Sequence, residues 1–392
     1  MDVHQPLALL AGLTPAQFMR RHWQKKPLLV RRAMPGLKPV LSRAELFGLA
    51  AQPQVESRLV QQQSSGWRMK QGPFGPRSLP ALVKPGWTLL VQGVDLHHRV
   101  AHDLLQQFRF VPDARLDDLM ISFATAGGGV GPHFDSYDVF LLQVSGRRRW
   151  KIGRQKDLSL QQGVPLKILQ NFEPEQEFVL ESGDMLYLPP RYAHDGLAEA
   201  CIGDDGKAAD CMTYSIGFQA PEQGQLAGQL LQRLADFSDD GQESDSTRRL
   251  YRDPSQPAVT TPAAVPASLI GFAHEAVAAA LKDPLALACV LGEYLTEPKA
   301  SLWFDPPSGA WNSRGACGLS LDPRSRMMYD SHHVFINGES YQAKGADARL
   351  MRRLADQRSL AVADLRLASP EALDLLSDWH ASGWLLPVQP LV

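Results

Sequence analysis

The 392-residue sequence predicts an all-β, double-sheet barrel followed by a helical segment and a small α+β module. Three observations predict it. From Leu119 to Phe218, short apolar runs alternate with turn residues. Inside that region Gly127-Gly-Gly-Val-Gly-Pro-His-Phe-Asp135 ends in His-x-Asp, whose side chains share one face if the stretch is extended. Beyond it, an acidic and Pro-rich stretch leads to Ala/Leu-rich helices and then to a tail with its own hairpin signal. Short strands around convergent polar residues describe a double-stranded β-helix of the jelly-roll or cupin type. A plain β-sandwich would not require His133 and Asp135 to be aligned.

Taken in order, Thr14-Pro15 is an N-cap with Pro at the first helical position and opens a helix to about Trp23. Lys25 to Val30 is an entering strand. Ser42-x-x-Glu45 has the capping-box spacing ahead of Leu46 and Leu49. Leu59-Val60, Trp67 to Met69 and Trp87 to Val91 read as strands between Gly/Pro turns, and Val100 to Phe108 has helical spacing with Val100, Leu104, Leu105 and Phe108 on one side. The barrel strands are expected at Leu119–Ala124, Tyr137–Val144, Arg147–Ile152, Glu177–Leu180, Asp184–Leu188 and Met212–Phe218. Helices follow at Glu222–Phe237, Ser268–Leu281 and Pro284–Leu295, the last two suited to dimerisation. In the tail, Asn337-Gly338 fits a type I′ hairpin within Val334–Tyr341, three helical patterns follow, and Trp384–Val388 closes as a strand, a winged-helix shape. The expected division is 1–220 for the barrel and its N-terminal flank, 221–318 for the helical segment with an insert at 238–266, and 319–392 for the winged-helix-like module.

Composition narrows the function. Apolar residues make up 44% and charged residues 21%, and the formal net charge is −2, values ordinary for a soluble globular protein and not those of a global nucleic-acid binder. Four scattered cysteines without CxxC fit reduced thiols of the cytoplasm. No basic n-region precedes Leu7–Leu10, and no run has the roughly 18 apolar residues of a membrane span. From residue 331 onward six Lys/Arg face seven Asp/Glu, so the tail is expected to contact protein rather than DNA.

The chemistry centres on His133 and Asp135, with His194 as the third ligand, 59 residues beyond Asp135 and just after Gly183-Asp-Met-Leu-Tyr-Leu-Pro-Pro190. Two imidazoles and one carboxylate on one side of a metal leave positions open, as non-haem iron(II) oxygenases require. Strand parity in Arg147-Arg-Arg-Trp-Lys-Ile152 puts Arg148 with Trp150 and Ile152, and Arg147, Arg149 and Lys151 on the other face. An inward arginine needs an anion: either a ligand carboxylate or a protein one from Glu173 to Asp184. Ser122 is a candidate helper at the same anion. The glycines at 127–129 precede strand pattern rather than a helix, so they shape a turn and allow close approach instead of cradling phosphate. Tyr137 shares parity with the ligands and is a candidate substrate contact, or else a rim aromatic.

These residues resemble the JmjC-type, 2-oxoglutarate-dependent ribosomal oxygenases, the bacterial YcfD/RoxA-like arginine hydroxylases above all. The likeness rests on Asp118 to Phe123, Gly127 to Phe140, Gly146-Arg-Arg-Arg-Trp150, Gly183 to Pro190, Tyr214 to Phe218 and Trp23 to Leu29. The resemblance implies iron(II) on His133, Asp135 and His194, 2-oxoglutarate with its far carboxylate on Arg148 and Ser122, and molecular oxygen as oxidant. It implies a substrate arginine of large-subunit ribosomal protein sixteen, hydroxylated at Cβ; Asp117, Asp118 and Asp138 are candidates to orient its guanidinium. A homodimer through the middle helices is also implied. Thr213, where bacterial relatives tend to carry Asn, and the 238–266 insert depart from the family pattern. The alternatives are an oxygenase of the same class acting on another protein or a small molecule, and a non-catalytic metal-binding cupin scaffold.

Overall fold

In the computed structural model the described residues are 2–64, 66–75, 77–202, 209–240, 251–254, 263, 265–309, 311 and 317–388; most of the 238–266 insert lies outside them. Two compact units are present, Met1–Ala220 with Ala300–Trp303, and Pro221–Lys299 with Phe304–Val392.

The first unit opens with α1 (Pro15–Arg21), whose Thr14 cap forms a reciprocal capping box with Gln17. After β1 (Leu28–Val30), α2 (Arg43–Ala50) begins on the Ser42/Glu45 capping box read in the sequence. Strands β2 (Ser57–Gln63), β3 (Gly66–Gln71) and β4 (Trp87–Val91) precede α3 (Arg99–Leu105). The barrel proper comprises β5 (Leu116–Ala124), β6 (Val139–Ser145), β7 (Arg147–Gly153), β8 (Gln176–Leu180), β9 (Met185–Leu188), β10 (Ala193–Glu199) and β11 (Cys211–Phe218). They form an eight-stranded antiparallel sheet, ordered β1-β9-β6-β11-β5-β4-β2-β3, and a three-stranded one, β10-β7-β8. Val139, Leu141, Leu186 and Leu188 of the large sheet pack on Trp150, Ile152 and Leu180 of the small one, which makes the double-sheet core. The other face of the large sheet carries Leu119, Ile121, Phe123, Tyr187 and Tyr214, buried with Phe18, Leu46, Leu104 and Phe108 from the flanking helical segments. Period-2 alternation therefore leaves Ser122, Gln143 and Thr213 facing the barrel interior.

Three expectations need correction. Val100 is exposed, because α3 buries Ala101, Leu104 and Leu105 and passes into a 3-10 turn at Gln106–Phe108. Tyr137 precedes β6 rather than lying in it, and His133 and Asp135 are not on a continuous strand: His133 pairs with His194 as an isolated antiparallel bridge. Strand β10 was not expected, since Gly196 and the polar Asp195 and Glu199 dilute its apolar signal.

Asp138 is wholly buried. The Tyr187 hydroxyl donates to it at 2.6 Å, Gln24 Nε2 at 3.1 Å and Arg115 Nη2 at 3.3 Å, while the Arg115 guanidinium lies 5.5 Å from the Trp23 ring centre. Asp138 thus ties the N-terminal segment to the barrel and is a structural anion. Asp138→Ala should lower stability by about 3 kcal/mol, the cost of orphaning a buried ion-pair partner, read as a lower urea midpoint; Asp138→Asn should lose less.

The second unit contains α4 (Gln223–Asp240), α5 (Ala267–Ala280) and α6 (Pro284–Thr296). Its tail has β12 (Gly318–Leu321), β13 (Met327–Tyr329), β14 (His333–Ile336), β15 (Glu339–Gln342), α7 (Gly345–Gln357), β16 (Ser359–Leu360), α8 (Val362–Leu365), α9 (Pro370–Ala381) and β17 (Leu385–Val388). The hairpin turn has Asn337 at φ 49° and Gly338 at φ 90°, as a type I′ turn needs. Leu319, Leu354, Leu376 and Trp379 centre a separate core.

Candidate active site

Two elements bring the donors together. The His133 N–H donates to the His194 carbonyl at 2.9 Å, and the His194 N–H returns a bond at 2.8 Å. This bridge sets the imidazoles side by side, ring centres 4.2 Å apart. Just upstream, the Gly127 N–H donates to the Ala198 carbonyl at 2.8 Å and the Ala198 N–H to the Gly128 carbonyl at 2.9 Å. The glycine loop is thereby stitched to β10, and a Cβ on Gly129 would lie 2.7 Å from the Gly196 carbonyl oxygen. It is the backbone of β10 that approaches closely here.

Each imidazole is oriented by a carbonyl two residues before it. His133 Nδ1 sits 2.8 Å from the Gly131 oxygen, and His194 Nδ1 sits 2.8 Å from the Tyr192 oxygen. A carbonyl only accepts, so both Nδ1 atoms carry the proton and both Nε2 lone pairs point away from the backbone. His194 Nε2 lies 3.6 Å from Asp135 Oδ2. One donor atom from each of His133, Asp135 and His194 falls within 4.8 Å of the others. Burial, and then the neighbouring His133, lower the His194 pKa to about 4, outweighing Asp135. The ring is therefore neutral at physiological pH, the form that ligates metal. Two imidazoles, each oriented by a backbone carbonyl, and a carboxylate suit a hard-to-borderline divalent ion, and iron(II) fits this donor set.

Arg148 is 3% exposed on β7. Its guanidinium lies 5.8 Å from the Trp150 ring centre, and Nη1 reaches the Gly196 carbonyl only at 3.5 Å. Its Nε and Nη2 are buried with no hydrogen-bond partner among the described residues. The internal salt bridge allowed by the sequence is not made: Glu177 pairs with Arg149 and Lys151, Glu181 with Arg147, and Asp184 with Arg31. A buried, unsatisfied guanidinium costs several kcal/mol unless an anion joins it, so the interior has a built place for a carboxylate. Outside, Arg147 and Arg149 also engage Glu199, which neutralises the basic stripe.

Ser122 is buried opposite Thr213, and its hydroxyl donates to the Thr213 carbonyl at 3.3 Å. Thr213 donates to Gln143 Oε1 at 2.7 Å, so this departure from the family pattern is satisfied inside the barrel. Asp118 is 6% exposed and accepts the Gly93 N–H at 2.9 Å through Oδ2. Tyr137 is 38% exposed, yet its hydroxyl end is turned in and hydrogen-bonded to Asp135. Desolvation of that end, then the Asp135 and Asp118 carboxylates, push the phenol pKa up and keep it a donor.

Sequence reasoning missed the rim. A Cβ on Gly131 would lie 2.7 Å from both Trp67 and Ile168, and the Leu169 N–H donates to the Pro132 carbonyl at 2.8 Å. Trp67 comes from β3 and Ile168 from the loop after β7, distant stretches that no motif links. Trp150, on the same face as Arg148, also covers the glycine at 196, where a Cβ would meet its ring at 2.5 Å.

Fold and donor set define a cupin-type metal oxygenase scaffold, and similarity places the chain more narrowly. The JmjC domain family matches residues 103–226, and the ROXA-like winged helix matches residues 279–386. The ribosomal protein uL16 3-hydroxylase of Escherichia coli (strain K12) is 36% identical over 293 residues, 74% of this chain and 73% of that one. A probable ribosomal oxygenase of Haemophilus influenzae is 29% identical over 406 residues, 95% of this chain and 96% of its own length. The crystal structure of E. coli ycfD superposes with a TM-score of 0.82 at 30% identity, covering 96% of this chain and 98% of that one. A second structure of that oxygenase, in complex with cobalt and 2-oxoglutarate, gives a TM-score of 0.79 at 31% identity over the same shares. The chain belongs to the JmjC-type ribosomal oxygenase family, with a ROXA-like winged helix.

Two outcomes are expected. Asp135→Ala should weaken Mn(II) or Fe(II) binding beyond the about 10–100-fold typical of losing an outer partner, measured by titration calorimetry. The folded His194 value lies below that of a free imidazole, so the unfolded chain takes up the proton first as pH falls from 6.5 to about 4. Metal-free stability should be highest above that window and drop by about 3 kcal/mol across it, seen in urea midpoints; His194→Gln should flatten this component.

Proposed function

We propose that the chain is an Fe(II)- and 2-oxoglutarate-dependent protein hydroxylase acting at Cβ of an arginine in ribosomal protein uL16. The observation that carries the reading is the buried Arg148 with unsatisfied Nε and Nη2, on the strand beside the one that holds His194. Arg148 pairs with Ala198, four residues along β10 from His194, roughly 13 Å at strand rise. An arginine side chain and a short dicarboxylate fill such a gap together.

His133, Asp135 and His194 would hold the iron, and Arg148 with Ser122 would hold the far carboxylate of 2-oxoglutarate. When bound, iron and 2-oxoglutarate supply the activation of molecular oxygen and release succinate and carbon dioxide. The chain's own part is positioning and shielding. The Gly131 and Tyr192 carbonyls fix the imidazole tautomers. The Tyr137 hydroxyl steers the Asp135 carboxylate, and Trp150 and Ile152 keep water from the interior. Tyr137 and Asp118 form the substrate side for a guanidinium, the tyrosine partly exposed and the carboxylate buried behind it. Asp138 is committed to Arg115 and Tyr187 and is left out of that role.

A homodimer belongs to this reading, supported by the exposed Leu269, Ile270 and Val277 on α5. So does a cytoplasmic site of action; among the described residues no helix is long and apolar enough to cross a membrane. The division into a barrel at 1–220, a helical segment at 221–318 and a tail at 319–392 is retained as a proposal. The tail is assigned to protein contact rather than DNA.

Incubation of uL16 with the chain, Fe(II) and 2-oxoglutarate should add one oxygen to an arginine-bearing peptide, with succinate in equal amount. Arg148→Ala should raise the KM for 2-oxoglutarate by about 10²-fold, the scale of a lost charge-assisted pair. Succinate formed without a ribosomal substrate would leave an oxygenase of the same class acting on another molecule, and no succinate under any condition would leave the non-catalytic scaffold.

A further inference from the structure

A second cluster of cations lies outside the metal site. Lys25, Arg154, Lys156 and Arg191 line one cavity of about 350 Å³, walled by Pro189, Pro190 and Tyr192. Among the described residues none of these four makes an ion pair, in a chain whose formal net charge is −2. Arg154, Lys156 and Arg191 are exposed and project from the loop after β7 and the turn before β10. Carboxylates nearby do not neutralise them. Asp157 Oδ1 accepts the Ser159 N–H at 3.0 Å and Oδ2 accepts Asn171 Nδ2 at 3.4 Å, so it is turned into its own loop. Glu175 and Arg154 both lie near Tyr192 but form no ion pair among the described residues.

One wall of the cavity is the turn that leads into His194. Arg191 has φ +62°, and its N–H donates to the Asp135 carbonyl at 2.7 Å. One residue further, the Tyr192 carbonyl accepts the His194 Nδ1 proton. Whatever anion the cavity takes is therefore linked through this turn's backbone to Asp135 and His194.

We propose that this cavity binds the phosphodiester backbone of RNA. Lys25 Nζ is held at the edge by the Met19 and Arg20 carbonyls at 3.2 and 2.8 Å, but the three remaining cations exceed what a single carboxylate can balance, whereas an RNA strand carries a charge at every unit and the arginine fork matches phosphate oxygens. The step to RNA rests on the reading above: a chain that acts on a ribosomal protein meets RNA beside its substrate. The cavity then docks RNA that accompanies the substrate.

The test is fluorescence anisotropy of a short labelled single-stranded RNA with the full chain, free of iron and 2-oxoglutarate, over a salt series. The comparison is the Arg154→Gln/Lys156→Gln double variant, with equal melting temperature as the folding control. The parent should bind, and the variant should bind at least tenfold more weakly with a salt slope reduced by about 1.4, from about 0.7 per phosphate contact. Turnover of a free uL16 peptide should be the same in both. No RNA binding by the parent, unchanged binding by the variant, or poly-glutamate binding as tightly as RNA would overturn the proposal. Loss of free-peptide turnover would overturn it too, by making the cleft part of the peptide site. Because binding is read without cofactors, failure of the hydroxylase reading would leave this result standing on its own.

Discussion

The reciprocal backbone pair between His133 and His194 is the constraint on which the site depends. Each of its hydrogen bonds contributes only about 1 kcal/mol net, but together they bring a loop and a strand from opposite ends of the barrel segment to one place. The Gly127 and Gly128 contacts with Ala198 extend the same seam. Without it the two imidazoles would belong to separate elements, and Asp135 would have no neighbour to complete a donor set. The glycines make the seam possible: a side chain at 129 would strike β10, and one at 131 would strike Trp67 and Ile168.

Charge is partitioned just as sharply on β7. Alternate residues of one strand face water or the interior, so three consecutive arginines have two fates. Arg147 and Arg149 rest among Glu177, Glu181 and Glu199 on the surface, where such pairs are worth little. Arg148 enters the interior without a protein carboxylate, a costly placement that a bound anion relieves. The cost of burying Arg148 there becomes affinity for a dicarboxylate, and the neutral His194 makes the same interior ready for a metal.

Much of this was legible in the sequence, for local reasons. The capping boxes at Thr14 and Ser42, the type I′ turn at Asn337-Gly338 and the inward parity of Arg148 each follow from rules that act over a few residues. The donor triad was legible because its residue types are rare together. What was not legible is non-local. The pairing that holds His133 is with a strand whose own signal is diluted by Gly196, and the rim contacts of Trp67 and Ile168 join stretches with no shared pattern. Asp138 looked like a substrate contact from its position near the motif; only the fold brings Gln24, Arg115 and Tyr187 to it.

The most direct measurement is anaerobic addition of Fe(II) and then 2-oxoglutarate to the parent chain and to Arg148→Ala, watching for the visible metal-to-ligand charge-transfer band. A band in the parent that saturates at low 2-oxoglutarate, and needs far more in the variant, is the predicted result. Iron bound with no band in the parent, or a band that titrates identically in both, would contradict the assignment of the interior as a shared site for metal and dicarboxylate.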